Sequence, residues 1–186
     1  FASIPNVYAI KIAPFDRYCS IDVVRAVCHS PRNVEIALYT GNDDNIINDL
    51  LTAFEFTVEG QKVEKRIVGG LLGHWSVWTK RVVETFEEIK VVRGQKSVPN
   101  GLLTLGQQIT DANAAIFDSR NSFKGSIAGI NEILARQGLL QGNWCLVDRE
   151  VLSPGQSEEL DRIYTSYPHL NDDEFVKANL SKWLSK

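Results

Sequence analysis

Over the first half of the chain, short apolar runs alternate with stretches of helical periodicity. Residues 7–13 read as a strand. Ser20 is placed to cap a helix whose apolar stripe is Ile21, Val24 and Val27. Residues 34–39 read as a second strand, and Thr40-Gly41-Asn42-Asp43-Asp44 as a turn into a helix carrying Ile46, Ile47, Leu50 and Leu51. Residues 54–58, Glu59-Gly60 and residues 62–65 predict a short hairpin or extended excursion, and residues 66–72 a third core strand. Trp75, Trp78, Val82, Phe86 and Ile89 then recur at helical spacing.

The second half predicts helices only. Leu102, Leu105, Ile109, Ala112 and Ile116 make one stripe. Ile127, Ile130 and Leu134 make another, ended by Gly138. Ser153-Pro154-Gly155-Gln156 reads as a capping box with Pro at the first helical position. Asn171 with Glu174 repeats that logic before a last amphipathic helix bearing Phe175, Val176, Leu180 and Trp183. Such a helix at a chain end is expected to dock on the fold or at a subunit contact rather than on a membrane. Residues 91–100 and 141–152 are connectors.

Strands alternating with helices indicate an α/β fold with a parallel sheet. Three strand–helix units do not close a parallel barrel, which takes eight units and about 250 residues. Three parallel strands alone would also leave bare edges. The chain opens on Phe1 and contains no Met. The expectation is a C-terminal portion of a longer protein.

Composition narrows the function classes. The chain has 186 residues, 44% of them apolar, with a net charge of −3 and no basic run, which argues against a nucleic-acid or anionic-membrane coat. No apolar stretch approaches the roughly 20 residues that span a bilayer. Cys19, Cys28 and Cys145 lack CxxC spacing and are expected as small buried hydrophobes in a reducing, cytoplasmic setting. His29, His74 and His169 are scattered, so no metal or other cofactor is expected.

Lys11 carries the candidate chemistry. Strand alternation puts Ile10 and Ile12 on one face and Ala9, Lys11 and Ala13 on the other. A lysine flanked by small residues can extend into an enclosed space, where desolvation makes its amine a usable nucleophile for a carbonyl. The same residue could instead reach solvent or pair with Asp16.

Ile4-Pro5-Asn6-Val7-Tyr8-Ala9-Ile10-Lys11 resembles the sixth strand of the dihydrodipicolinate synthase and N-acetylneuraminate lyase superfamily. Leu38-Tyr39-Thr40-Gly41-Asn42-Asp43 resembles that family's seventh-strand turn, and Arg66-Ile67-Val68-Gly69-Gly70 its eighth strand. The resemblance implies a (β/α)8 TIM barrel, with residues 1–92 forming strands 6–8 and residues 93–186 a C-terminal helical extension. It implies a class I lyase or aldolase in which Lys11 forms a Schiff base with pyruvate or another 2-keto acid, with an aldehyde as a possible second substrate. Gly41, Val68 and Gly69 would line the pocket beside the imine. The family's proton-relaying tyrosine and threonine-rich carboxylate loop would lie upstream of Phe1. A homo-oligomer, often a tetramer, is expected by the same analogy.

Five departures bear on the substrate. Ile12 stands where the family has an acid, and Phe15 where it often has Gly. Thr40 and Asn42 replace Ser and Asp, and residues 54–65 lengthen the link into the third strand. These features point to a divergent or catabolic branch. They also leave two alternatives open: a barrel pseudoenzyme that binds a metabolite or partner, and a 2-keto-3-deoxy acid dehydratase using the same imine. Asp43 and Asp44 are candidates for holding substrate hydroxyls or for capping the next helix. The Gly69-Gly70-Leu71-Leu72-Gly73 run lacks a phosphate-loop ending, so it reads as a crowded turn, and His74 as structural.

Overall fold

The computed structural model describes residues 1–185 and is a mixed α/β structure built on a small open sheet. The elements in chain order are β1 (Ala9–Ile12), α1 (Arg17–Cys28), β2 (Ala37–Thr40), α2 (Ile46–Leu51), β3 (Ala53–Val58) and β4 (Gln61–Gly70). They continue with α3 (Thr79–Val92), α4 (Asn100–Ile116), α5 (Ser126–Arg136), α6 (Gln156–Ser166) and α7 (Asp173–Leu184). The sheet runs β1-β2-β4-β3. β1, β2 and β4 are parallel, and β3 is antiparallel to β4. It is an open sheet and not a closed barrel.

The chain groups into two units. The first comprises Phe1–Leu72 and Ile89–Gly106. The second comprises Gly73–Glu88 and the chain from Gln107 onward.

In the first unit, helices cover one face of the sheet. Val24 and Val27 of α1, Ile46, Ile47 and Leu50 of α2, and Leu38 and Ile67 of the strands are essentially solvent-free. β1 is shorter than expected because only Ala9–Ile12 pair with β2. Val34 and Glu35 likewise lie in a turn, and Ile36 precedes β2 rather than starting it. α1 starts a turn earlier than Ser20 suggested. Asp16 is its cap, accepting from the Cys19 amide at 2.9 Å, and Ser20 sits inside the helix with its hydroxyl on the Asp16 carbonyl at 2.9 Å. Asp16 and Ser20 lie one turn apart and both are capping residues, so spacing could not choose between them.

The hairpin and the third core strand merge into one long strand. β4 pairs with β3 from Gln61 to Arg66 and with β2 from Ile67 onward. Glu59 (φ 50°) and Gly60 (φ 78°) form a tight turn with two left-handed residues, the geometry that follows strand twist.

In the second unit, Trp78 breaks the helical stripe read through residues 75–89. Its φ is 55°, and its carbonyl accepts from the amides of Arg81 and Val82, so α3 begins only at Thr79. A left-handed aromatic costs about 1–2 kcal/mol, which burial of an indole offsets. The ring is 2% exposed and meets Tyr164 edge-on at 5.3 Å. The α5 stripe is also shifted. Ala128, Gly129 and Ile133 are buried, while Ile127 is half exposed. The expected capping box before α6 is half made. The Ser153 amide donates to Gln156 Oε1 at 3.0 Å, but the Ser153 hydroxyl goes to Asp118 and Gly155 takes the cap position. Before α7, Asn171 accepts from the Asp173 amide at 3.3 Å, and Asp172 is the cap residue. On α7 itself Val176 is buried, but Phe175 and Trp183 are partly exposed and stack edge-on at 5.6 Å.

Candidate active site

The three parallel strands end side by side. Lys11 pairs in register with Tyr39, and Tyr39 with Gly69, so these residues form a row, each one position from its strand's end. The row lies on the face opposite the helices. Ile12, Leu38 and Ile67 are buried on the helix side, whereas Lys11 and Tyr39 are exposed. A register shift between Leu38 and Tyr39 places Val68 at a bulge, and it too is exposed.

Lys11 and Gly41 are in close approach. A methyl group built on Gly41 would fall 2.9 Å from Lys11 Cε, 3.0 Å from Ala13 Cβ and 3.6 Å from Lys11 Nζ. The lysine stem therefore lies over the glycine, which needs a bare backbone at this point. The Gly41 amide donates to the Ile12 carbonyl at 2.7 Å, which ties the β2 end to the β1 end. Gly69 is bare for a similar reason. Its missing methyl would meet the Tyr39 ring at 2.8 Å, and the Tyr39 hydroxyl donates to the Gly70 carbonyl at 2.9 Å.

The enclosure expected around Lys11 is not built by this chain, because the side chain is exposed. Nor does Asp16 take it up, since that carboxylate caps α1. A groove of about 670 Å³ runs along β1 and α1 past Lys11, with apolar walls that include Ile10, Pro14, Val23 and Ala26. Asp43 is half-buried and Asp44 exposed in the β2–α2 turn, and Asn45 rather than either acid occupies the cap of α2. Of the residues singled out in the sequence, Lys11, Gly41, Val68 and Gly69 gather at one end of the sheet, and Asp43 and Asp44 lie on its flanking turn.

Sequence reading missed Tyr39, whose place in the row follows from strand pairing. It also missed a buried polar network beneath the turn. Asp49 is fully buried and accepts from the Thr40 hydroxyl at 2.6 Å, from Asn42 Nδ2 at 3.1 Å and from Arg17. Asn42 Nδ2 also donates to Ser20 Oγ at 2.9 Å. Asn42 Oδ1 accepts from the Phe15 amide at 3.2 Å, and Phe15 has a φ of 52°.

His74 is 2% exposed in the second unit. Its Nδ1 and its backbone amide both donate to Asn113 Oδ1, at 3.3 and 3.0 Å. Burial pushes its pKa down to about 4, so the ring is a neutral structural group near pH 7. Of the three cysteines only Cys28 is buried; Cys145 is partly exposed and Cys19 lies on the surface, contrary to the expectation of small core residues. Among the described residues, no cluster of three or more His, Cys, Asp or Glu side chains could hold a metal ion. Among them, no helix is long and apolar enough to cross a membrane. No family model, no curated protein and no solved structure matches the chain.

Proposed function

We propose that this chain supplies the imine-forming part of a class I lyase or aldolase acting on pyruvate or a related 2-keto acid. The observation that carries the reading is the Lys11–Gly41 approach at the C-terminal ends of parallel strands, the end where α/β proteins place their chemistry. On this reading β1, β2 and β4 are the last three strands of a (β/α)8 barrel of the dihydrodipicolinate synthase type, acting as a homo-oligomer. The unpaired outer edge of β1 and the groove beside it support that assignment.

The chemistry follows from the amine. The Lys11 Nζ lone pair attacks the keto carbon of the substrate, and loss of water leaves a protonated imine. In the cleavage direction, the hydroxyl beyond the scissile bond gives its proton to a base in the rest of the site, the carbon–carbon bond breaks, and its electrons move toward that nitrogen to give an enamine plus an aldehyde. Protonation of the enamine carbon and hydrolysis release pyruvate and free the lysine. Gly41 lets the Lys11 stem lie against the β2 backbone, Gly69 does the same for the Tyr39 ring, and Asp43 and Asp44, on the turn after Gly41, would hold the hydroxyls of a longer 2-keto acid.

Borohydride reduction of the full-length protein with pyruvate tests this reading. The expected result is one reduced pyruvate on the peptide containing Lys11, lost in Lys11→Arg. An unmodified peptide overturns it. Ile12 and Phe15 favour a second reading, a barrel that binds a metabolite without turnover. Ligand binding that survives Lys11→Ala, with no turnover of any 2-keto acid, would select that reading. Product analysis separates lyase from dehydratase, since only the lyase releases pyruvate.

A further inference from the structure

We infer that Asp49 is a positioning residue for the Lys11 site and that it acts through Asn42. The inference rests on the lysine-imine reading above.

A carboxylate with no solvent exposure is costly unless every lone pair is used. Asp49 on α2 meets that condition with Arg17 on one oxygen and with Thr40 and Asn42 on the other. Its partners are not scattered through the core. Thr40 and Asn42 bracket Gly41, the residue beneath the lysine stem, and Arg17 opens α1 directly after the loop that follows β1. Apolar side chains would fill that volume without the cost of burying charge. The network therefore concentrates polar groups at the one end of the sheet that carries Lys11.

Asn42 transmits the constraint. At 1% exposure its amide is used at both ends: Nδ2 donates to Asp49 and Ser20, and Oδ1 accepts from the Phe15 amide. Asp49 accepts only, so it fixes which end of the Asn42 amide faces inward and hence which end faces Phe15. Phe15 holds a left-handed backbone while its ring is 59% exposed, so packing of the ring does little to offset that conformation. The Asn42 contact anchors it instead. One buried carboxylate thus sets both turns that flank the amine, the one bearing Phe15 and the one bearing Gly41.

The test compares Asp49→Asn, Asp49→Ala and Asn42→Ala in the full-length protein. The measurements are the rate of pyruvate trapping on Lys11 under borohydride, its dependence on pyruvate concentration and pH, and urea stability. Lys65→Met, which removes a lysine bonded to the Asn33 carbonyl on the far part of the same unit, is the structural control. Positioning predicts that Asn42→Ala and Asp49→Ala slow trapping at saturating pyruvate by about tenfold to a hundredfold per folded molecule. It also predicts a shift in the pH midpoint of trapping and partial rescue in Asp49→Asn. Lys65→Met should lower stability and leave trapping unchanged. Wild-type trapping rates in the Asp49 and Asn42 variants, with only stability lowered, overturn the positioning role and leave the lysine reading standing. Absence of trapping in the wild type overturns both.

Discussion

Cys19 sits in the first turn of α1, where aligned backbone dipoles favour a thiolate. The neighbouring charge acts against this. The Asp16 carboxylate, which caps the same helix, pushes the Cys19 thiol up, and Asp22 adds to the effect. An exposed cysteine at a helix start is therefore a poor nucleophile here. Asp16→Asn retains a capping side chain and removes the charge. Alkylation of Cys19 near pH 7 should speed up severalfold in that variant while the helix content is unchanged; an unaltered rate measured with a thiol reagent would contradict this account. Lys11 and Asp49 show how unequally residues can be read from the sequence. The face of Lys11 follows from alternation with Ile10 and Ile12, which is local. Asp49 lies between Asn48 and Leu50 on a short helix, and its role depends on Arg17, 32 residues away, which no local pattern encodes.

At the scale of elements, the start of α5 packs against the end of α4 with no room for a side chain. A methyl on Gly129 would fall 2.0 Å from the Ile116 carbonyl oxygen, which is backbone and cannot swing aside. The buried Gln156 amide closes the same junction, donating to the Ala115, Ile116 and Gly125 carbonyls at 3.1–3.3 Å. Gly129→Ala should cost about 3 kcal/mol, read as a fall in the urea midpoint. Gly101 on α4 has open space around it, so the same substitution there should add up to about 1 kcal/mol. Equal effects of the two would show that the junction is looser than drawn. Element types were largely legible from periodicity, as for α4 and the β3–β4 hairpin. The break at Trp78 was not, because apolar spacing continues straight through a residue whose backbone leaves the helical region. The joining of the hairpin to the third strand was also hidden, since β4 changes partners midway without a change in its own pattern.

For the molecule as a whole, acid sensitivity should centre on His74. Unfolded, its ring takes up a proton near the ordinary value of 6.5; folded, burial delays this to about 4. Between those values proton uptake favours the unfolded chain. Stability is then complete above about 6.5 and declines as pH falls, by up to about 3 kcal/mol in all. Asp111, held low by Arg162, loses its contribution in the same direction but in the carboxylate range. Asp173, raised by burial, works in the opposite direction. The upper half of the histidine window is therefore the place to look. Urea titrations there should show a slope that His74→Gln removes; a slope that persists in the variant would assign it elsewhere. The open edge of the sheet was legible, because three strand–helix units are too few to close a barrel, and among the described residues the sheet ends at an unpaired β1.

The Glu59-Gly60 turn also makes the fold accessible to engineering. It stands at the start of β4, roughly 26 Å of strand from Gly69 at the usual rise per residue. Nothing lies within 4 Å of the missing Gly60 side chain, and the turn is flanked by the paired residues Val58 and Gln61. A fluorophore, affinity peptide or guest domain spliced there would hang from the blunt end of the sheet. It would report on the protein without touching the lysine row, and it offers a tether at the opposite end of the strands from Lys11.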